Sequence, residues 1–361
     1  TVTCLFVISL VVFLFLDSGK KENDKQGTKI QDREEETLKF DESEYIFPYS
    51  DKEYLADADV ENLTEEQLGF ARNEILARHG RIFTEEKYKV YFEEKNWYKG
   101  TVEPEAFDSN YEKELNEIEK ANVEIIKKYE DKLKSFALAG QYYASVLKEY
   151  QEAEAGGYSG NINQYPHVNP LLFENGCLEP LYFTLADLCG DGVPELLIGY
   201  FLDGDSSKYI LVELYGYEEG NAKQLAVSMG FGVTPLGEHN YIGERVRYYI
   251  CDNGLIRENG SGGAGINNVT YYELQENSVE MVIKEGAGQD EGRYYEQDYG
   301  GLGAMEATKA FYDEMQNKYP LKSDMQWYKL QELVEDKSQA DGQVKYYADI
   351  LKEYQRGEKE S

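Results

Sequence analysis

Two stretches of this sequence bring together side chains that could do chemistry. In the first, Asp187-Leu188-Cys189-Gly190-Asp191-Gly192-Val193-Pro194-Glu195, three carboxylates recur around two glycines that permit a tight turn. A hard cation such as calcium wants several oxygens of this kind, which makes Asp187, Asp191 and Glu195 candidate ligands. The same residues also suit a metal-free Asp-Gly turn. An EF-hand would need a glutamate at its twelfth place, and that place holds Ile198. In the second stretch Arg72, Glu74, Arg78 and His79 lie close together. Arginine offers a planar donor fork and histidine titrates near neutrality, so the group is a candidate acid-base or anion-binding cluster. Its structural alternative is that these side chains bond the free carbonyls of a helix end, or lock helix packing through a buried Arg-Glu pair.

Other chemistry is thinly represented. The sequence has no Gly-x-Ser-x-Gly elbow, His-Glu-x-x-His pair, phosphate loop or Cys-x-x-Cys. His167 and His239 stand apart from any ligand-like spacing. So acidic a chain has room for the carboxylate pair of a glycoside hydrolase, but no pair stands out. Tyrosine doublets occur at Tyr248-Tyr249, Tyr271-Tyr272 and Tyr294-Tyr295. In a strand a doublet sends one ring to each face. Outward rings would stack on sugars or meet protein partners, and ordinary strand packing is the other explanation.

Helices must position the Arg72–His79 cluster. Thr64-Glu65-Glu66-Gln67 is a capping-box sequence that predicts a helix start. Leu68, Ala71, Arg72, Ile75 and His79 then recur at helical spacing, and Gly80 suits a left-handed cap. Thr84-Glu85-Glu86-Lys87 predicts a second helix, with Tyr88, Tyr91 and Phe92 as its apolar face, leading to Trp97-Tyr98. Leu115, Ile118, Asn122, Ile125, Tyr129 and Leu133 predict a third helix from Tyr111 onward. Arg72, Asn73, Glu74, Ile75, Arg78, His79, Gly80, Phe83 and Trp97-Tyr98 together resemble the YARHG domain over residues 45–129. Leu76 occupies the place of the tyrosine in that family's name. The resemblance implies a presumed extracellular module of bacterial surface proteins, without a settled activity.

A β-rich composition follows. Tyr182–Leu188, Glu195–Phe201, Tyr209–Tyr217, Arg245–Cys251, Val269–Leu274 and Val279–Ile283 read as strands. Asp252-Asn253-Gly254 is a hairpin turn and Gln275–Ser278 a second one, so an antiparallel meander is expected. Helix is expected again over Ala304–Lys318 and from Ser323 onward. The Asp187–Glu195 loop resembles the turns of extracellular FG-GAP-type β repeats, with Cys189 where Asp or Asn is usual, and this resemblance implies a calcium ion. Tyr142-Tyr143-Ala144-Ser145-Val146-Leu147-Lys148-Glu149-Tyr150-Gln151 returns near the end as Tyr346-Tyr347-Ala348-Asp349-Ile350-Leu351-Lys352-Glu353-Tyr354-Gln355.

The expected fold class is therefore α+β, divided into a membrane-targeting segment at 1–16, a charged linker at 17–44, a helical YARHG-like domain at 45–133, an α+β domain at 134–330 and a helical tail at 331–361. The apolar run Val2–Leu16 is long enough for a signal-peptide core or a short anchor. Outside that run only Cys177, Cys189 and Cys251 remain, too few for a disulfide framework. A formal net charge of -32 with a pI near 4.5 disfavours nucleic acid as a partner. The leading expectation is a non-enzymatic bacterial surface protein, on the extracellular face of the membrane or secreted. It would bind a cell-envelope or host component such as a glycan, peptidoglycan or surface protein. The rival is a surface hydrolase of envelope polymers that uses acidic residues of the β-rich domain.

Overall fold

The computed structural model describes residues 45–157, 163–169, 172–173, 180–201, 204–206, 209–218, 221–225, 246–263, 265–275, 280–296, 305–334 and 345–360. The expected membrane segment and linker lie outside these residues, as do Cys177, His239, Arg245, Ala304 and most of the Gln275–Ser278 turn. No helix among the described residues is long and apolar enough to cross a membrane.

A short helix α1 (Asp57–Val60) leads into α2 (Glu65–Arg78). Thr64 and Gln67 form the expected capping box, with Gln67 N donating to Thr64 Oγ1 at 3.2 Å and Thr64 N to Gln67 Oε1 at 2.8 Å. Gly80 has φ of 78°, which lets the chain turn off the helix without a Cβ penalty. Helix α3 (Glu86–Glu93) starts after Glu85 without a side-chain cap, so Thr84 does not open it as expected. What holds α3 is its aromatic face, where buried Phe92 stacks on Phe83 with centroids 4.9 Å apart.

The helix expected from Tyr111 is in fact two. Helix α4 (Pro104–Glu114) ends before Leu115, and α5 (Glu117–Glu152) begins after Asn116. The break arises because Asn116 Oδ1 accepts from Ile118 N and Glu119 N while Glu119 Oε2 accepts from Asn116 N, a second capping box. Helix α5 then continues for 36 residues. Its first half packs on α2 through Val123 and Ile126, and its second half buries Tyr143, Val146, Leu147 and Tyr150 under a sheet. The expected division between residues 133 and 134 thus falls inside one continuous helix. A π-helical turn, Ala153–Gly157, ends it.

Two antiparallel sheets follow, as the strand pattern predicts. The first has the order β11-β1-β2-β3-β4, from Tyr182–Ala186 (β1), Glu195–Phe201 (β2), Tyr209–Glu218 (β3), Asn221–Leu225 (β4) and Tyr328–Lys329 (β11). The second is a meander of Val246–Ile250 (β5), Ile256–Gly263 (β6), Ile266–Leu274 (β7), Met281–Asp290 (β8), Arg293–Glu296 (β9) and Met305–Ala307 (β10). The Asp252–Gly254 turn joins β5 to β6 with Gly254 at φ of 81°. Alternation along the strands separates two layers of core. Phe183, Leu185, Leu196, Ile198 and Tyr215 face α5, whereas Leu197, Leu211 and Leu214 meet Ile250 and Ile256 of the second sheet. The far face of the second sheet is covered by α6 (Lys309–Met315), whose Tyr312 and Met315 pack on Val269, Tyr271 and Ala287.

Two helix expectations give way to strand here. Within 304–318, Met305–Ala307 pairs with β9 and Thr308 caps α6 by accepting from Phe311 N. From Ser323, the chain first lays Tyr328 and Lys329 against Phe183 and Tyr182, because the open edge of β1 offers backbone partners. A 3-10 turn (Leu330–Glu332) and a short parallel pair, Leu333–Val334 (β12) with Lys345–Tyr346 (β13), come next. The terminal helix α7 (Tyr347–Glu360) is part of the body rather than a tail. Tyr347 and Ile350 are buried in the core that α5 fills, and Leu351 reaches Gly140 of α5.

Because α7 completes that core, Ile350→Ala should lower global stability by about 2–5 kcal/mol in urea unfolding. A change below about 0.5 kcal/mol would show that α7 does not belong to the cooperative unit.

Candidate functional site

The four candidate side chains of the Arg72–His79 cluster point in different directions. The Glu74 carboxylate is buried, and it accepts from Ile46 N at 2.6 Å, Phe47 N at 3.0 Å and Arg78 Nη2 at 2.9 Å. Burial pushes the Glu74 carboxyl up, and the two amides and Arg78 oppose this without cancelling it. Arg78 also donates to Phe47 O at 2.7 Å and lies 4.2 Å over the Tyr45 ring, which stacks on Trp97. These contacts clamp the strap 45–56 onto α2. Asn122 of α5 fixes its other end by accepting from Leu55 N and donating to Ser50 O and Glu53 O.

Arg72 and His79 turn instead to α5. Arg72 Nε donates to Glu130 Oε2 at 2.6 Å, and His79 Nε2 lies 2.7 Å from Glu119 Oε1. Glu119 is the residue that closes the α5 capping box, so His79 at the end of α2 is tied to the start of α5. Only Glu74 and Arg78 meet directly. The carbonyls that Arg78 contacts belong to the strap, not to the end of its own helix.

The Asp187–Glu195 loop is closed by its own backbone. Asp187 Oδ1 accepts from Gly190 N and Oδ2 from Gly192 N, each at 2.7 Å, and Asp191 Oδ1 accepts from Val193 N. Gly190 and Gly192 adopt φ of 81° and 79°, as the turn requires. Glu195 is buried at the head of β2, where its Oε2 accepts from Leu188 N at 2.8 Å. Asp187, Cys189 and Glu195 each place a ligand atom within 4.8 Å of the others, while Asp191 lies outside this group. The donor set fits a hard cation only in part: two carboxylates and a thiol, where calcium takes six to eight oxygens. Burial drives the Glu195 carboxyl well above the usual carboxylate range, and Asp191 and Asp187 raise it further.

Three other elements press on this loop. Tyr354 of α7 accepts from Asp187 N at 2.8 Å, the Lys132 side chain of α5 lies over Gly192, and Gly254 of the β5–β6 turn approaches Leu188 O so closely that a Cβ would stand 2.6 Å from it. The loop is thus a junction between both helices and both sheets.

The tyrosine doublets do split between faces, but the first sheet packs on one face of the second sheet and α6 on part of the other. Tyr248 and Tyr271 are buried, and Tyr249, Tyr272, Tyr294 and Tyr295 are half-buried. Among the described residues the exposed aromatic rings are instead Tyr45, Tyr49 and Tyr54 of the strap.

Two constellations escape sequence spacing. His167 is not isolated: its Nδ1 lies 2.7 Å from Glu149 Oε1, its backbone N donates to Glu149 Oε2, and Tyr215 donates to its carbonyl. This anchors the 163–169 loop to α5. On the second sheet, Glu258 accepts from Tyr248 OH, Tyr272 OH and Asn268 Nδ2. These residues come from three adjacent strands, and only their register reveals the group.

Residues 43–131 match the YARHG domain family model, about a quarter of the chain. No curated protein matches the chain, and no solved structure does.

The raised Glu195 pKa has a definite linkage sign. Folding takes up a proton at this residue, so the stability it lends is complete below the ordinary value of 4.5 and is lost as pH rises through the higher folded value. Glu195→Gln retains an oxygen for Leu188 N and removes the titration. Relative to the parent, the variant should gain stability progressively as pH rises from about 5 to about 8. Thermal melts across that range check this, and a pH-independent difference would remove the buried acid from the account.

Proposed function

We propose that this chain is a non-enzymatic protein of the bacterial surface that binds an envelope or host component through its β-rich part. The helical module acts as a fixed support. One observation carries the reading: Arg72, Glu74, Arg78 and His79 are each engaged with the strap or with α5, and α5 runs on into the β-rich core. A cluster committed in this way builds a rigid bracket and leaves recognition to the other half. The YARHG domain is typical of extracellular or secreted bacterial proteins, which supports a location outside the cell. Attachment through the apolar run 2–16 belongs to the same proposal. With a net charge of -32, neutral or cationic partners such as glycans, peptidoglycan peptides or surface proteins are the accessible classes.

Within this reading the Asp187–Glu195 loop is an FG-GAP-like turn that takes calcium. The closeness of Asp187, Cys189 and Glu195 supports a cation there, and binding would ionise Glu195. Millimolar calcium should then raise the melting temperature of the chain above its value in chelator. An unchanged melt sinks the calcium assignment and leaves the loop as a junction held by hydrogen bonds alone.

The supporting role of the motif is tested by His79→Ala in the chain from residue 43. Stability should fall by about 1–3 kcal/mol, because Glu119 loses a partner in a buried setting. Retention on purified peptidoglycan and on a glycan array should match the parent. Loss of binding at unchanged stability would place the ligand at the motif, and no retention of the parent on any envelope material would overturn the binding reading.

A further inference from the structure

Burying a guanidinium is costly unless an acid pairs with it. Arg257 of β6 is 8% exposed, in a chain that carries 69 Asp and Glu. Among the described residues it nevertheless makes no ion pair. Its Nε donates to Asn259 Oδ1 at 2.8 Å, and its two terminal nitrogens have no hydrogen-bond partner. They are not among the fully sealed polar atoms that lack a partner, so the outer edge of the fork still meets solvent.

Register shows what surrounds it. Arg257 stands opposite Tyr249 on one side and Tyr271 on the other, and Arg247 stands opposite Asn259. Directly paired positions share a face, so Arg247, Tyr249 and Asn259 lie on the same face of the sheet as Arg257. Tyr271 and Cys251 are fully buried and form an apolar floor, with the Tyr271 hydroxyl committed to Met315 O. The carboxylate in the same cross-strand row is Glu285, opposite Tyr271 and therefore two strands away, where Lys318 and Tyr319 already hold it. Asp252, beyond Cys251 at the hairpin turn, is exposed.

We infer that Arg257 anchors a subsite for a single oxyanionic group presenting two coplanar oxygens, a carboxylate or a sulfate, carried by an otherwise uncharged ligand. The free fork matches two such oxygens with two parallel hydrogen bonds. Asn259, whose oxygen faces Arg257, keeps its Nδ2 as a further donor. A polyanion would be repelled by the chain's net charge, whereas one anionic group can enter a locally cationic spot. The inference does not rest on the envelope-binding proposal, since it is read with small anions.

The test titrates the chain from residue 43 with sodium acetate and, separately, sodium sulfate, against sodium chloride at matched ionic strength. Saturable binding by calorimetry, with a rise in melting temperature that chloride does not reproduce, is expected from at least one of the two. Arg257→Gln should weaken it by at least about tenfold, and Arg257→Lys, which keeps the charge without the fork, should also weaken it. A response to acetate alone assigns the subsite to carboxylates, and a response to sulfate alone to sulfates. A response no larger than that of chloride, or one that persists in Arg257→Gln, overturns the inference. If neither variant folds, the parent's saturable heat of binding, which general salt exclusion does not produce, still decides. A negative result with small anions leaves retention on envelope material unaffected, so the two proposals fail separately.

Discussion

A single helix, α5, carries the constraint on which the other elements depend. Helical stability in proteins comes mostly from packing of an apolar face, and α5 has two such faces in series. Val123 and Ile126 serve the helical module, whereas Tyr143, Val146, Leu147 and Tyr150 serve the first sheet. With no break between them, the orientation of one half is set by the other. The polar motif at Arg72–His79 acts through this helix, since Arg72 and His79 reach α5 at Glu130 and Glu119, and Asn122 of α5 holds the strap that Glu74 and Arg78 clamp.

Such a clamp is expensive to build and specific once built. Burying the Glu74 carboxylate is unfavourable by itself, and its two backbone amides and Arg78 offset the desolvation. Removing one partner leaves the rest stranded in low dielectric. That asymmetry keeps the strap, α2 and α5 in one arrangement, because alternative packings would strand buried polar groups. It also explains why a stretch so rich in ionisable residues need not touch a substrate.

Local signals in the sequence read true where a few residues decide the outcome. Thr64 with Gln67, Gly80, the whole of Glu195–Phe201 and the Asp252–Gly254 turn all appear as their spacing predicts. The break at Asn116 is local as well, an Asn-x-x-Glu capping box hidden within a stripe of apolar residues that continues across it. Where partners lie far apart the sequence is silent. Tyr328 becomes strand because β1 has an open edge, and the Glu149–His167 and Glu258 groups form only once helix, loop and strand register are in place. The 45–133 and 134–330 partition rests on a change of composition, and composition does not register a helix that belongs to both sides.

The internal repeat gains a physical explanation from the same core. Tyr143, Val146, Leu147 and Tyr150 correspond to Tyr347, Ile350, Leu351 and Tyr354, and the two sets pack into one cluster on one face of the first sheet. Two helices that cover the same sheet face the same demand for large rings and aliphatics at helical spacing. Packing alone does not require the same hydroxyl chemistry, and there the copies diverge. Tyr143 donates to Pro194 O within the Asp187–Glu195 loop, whereas the buried Tyr347 hydroxyl has no partner, and it is Tyr354 that holds Asp187 N. Each copy thus uses a different tyrosine to grip the same loop from its own side. The likeness of the two helices answers to the shared core, and their differences answer to the junction that joins helices and sheets.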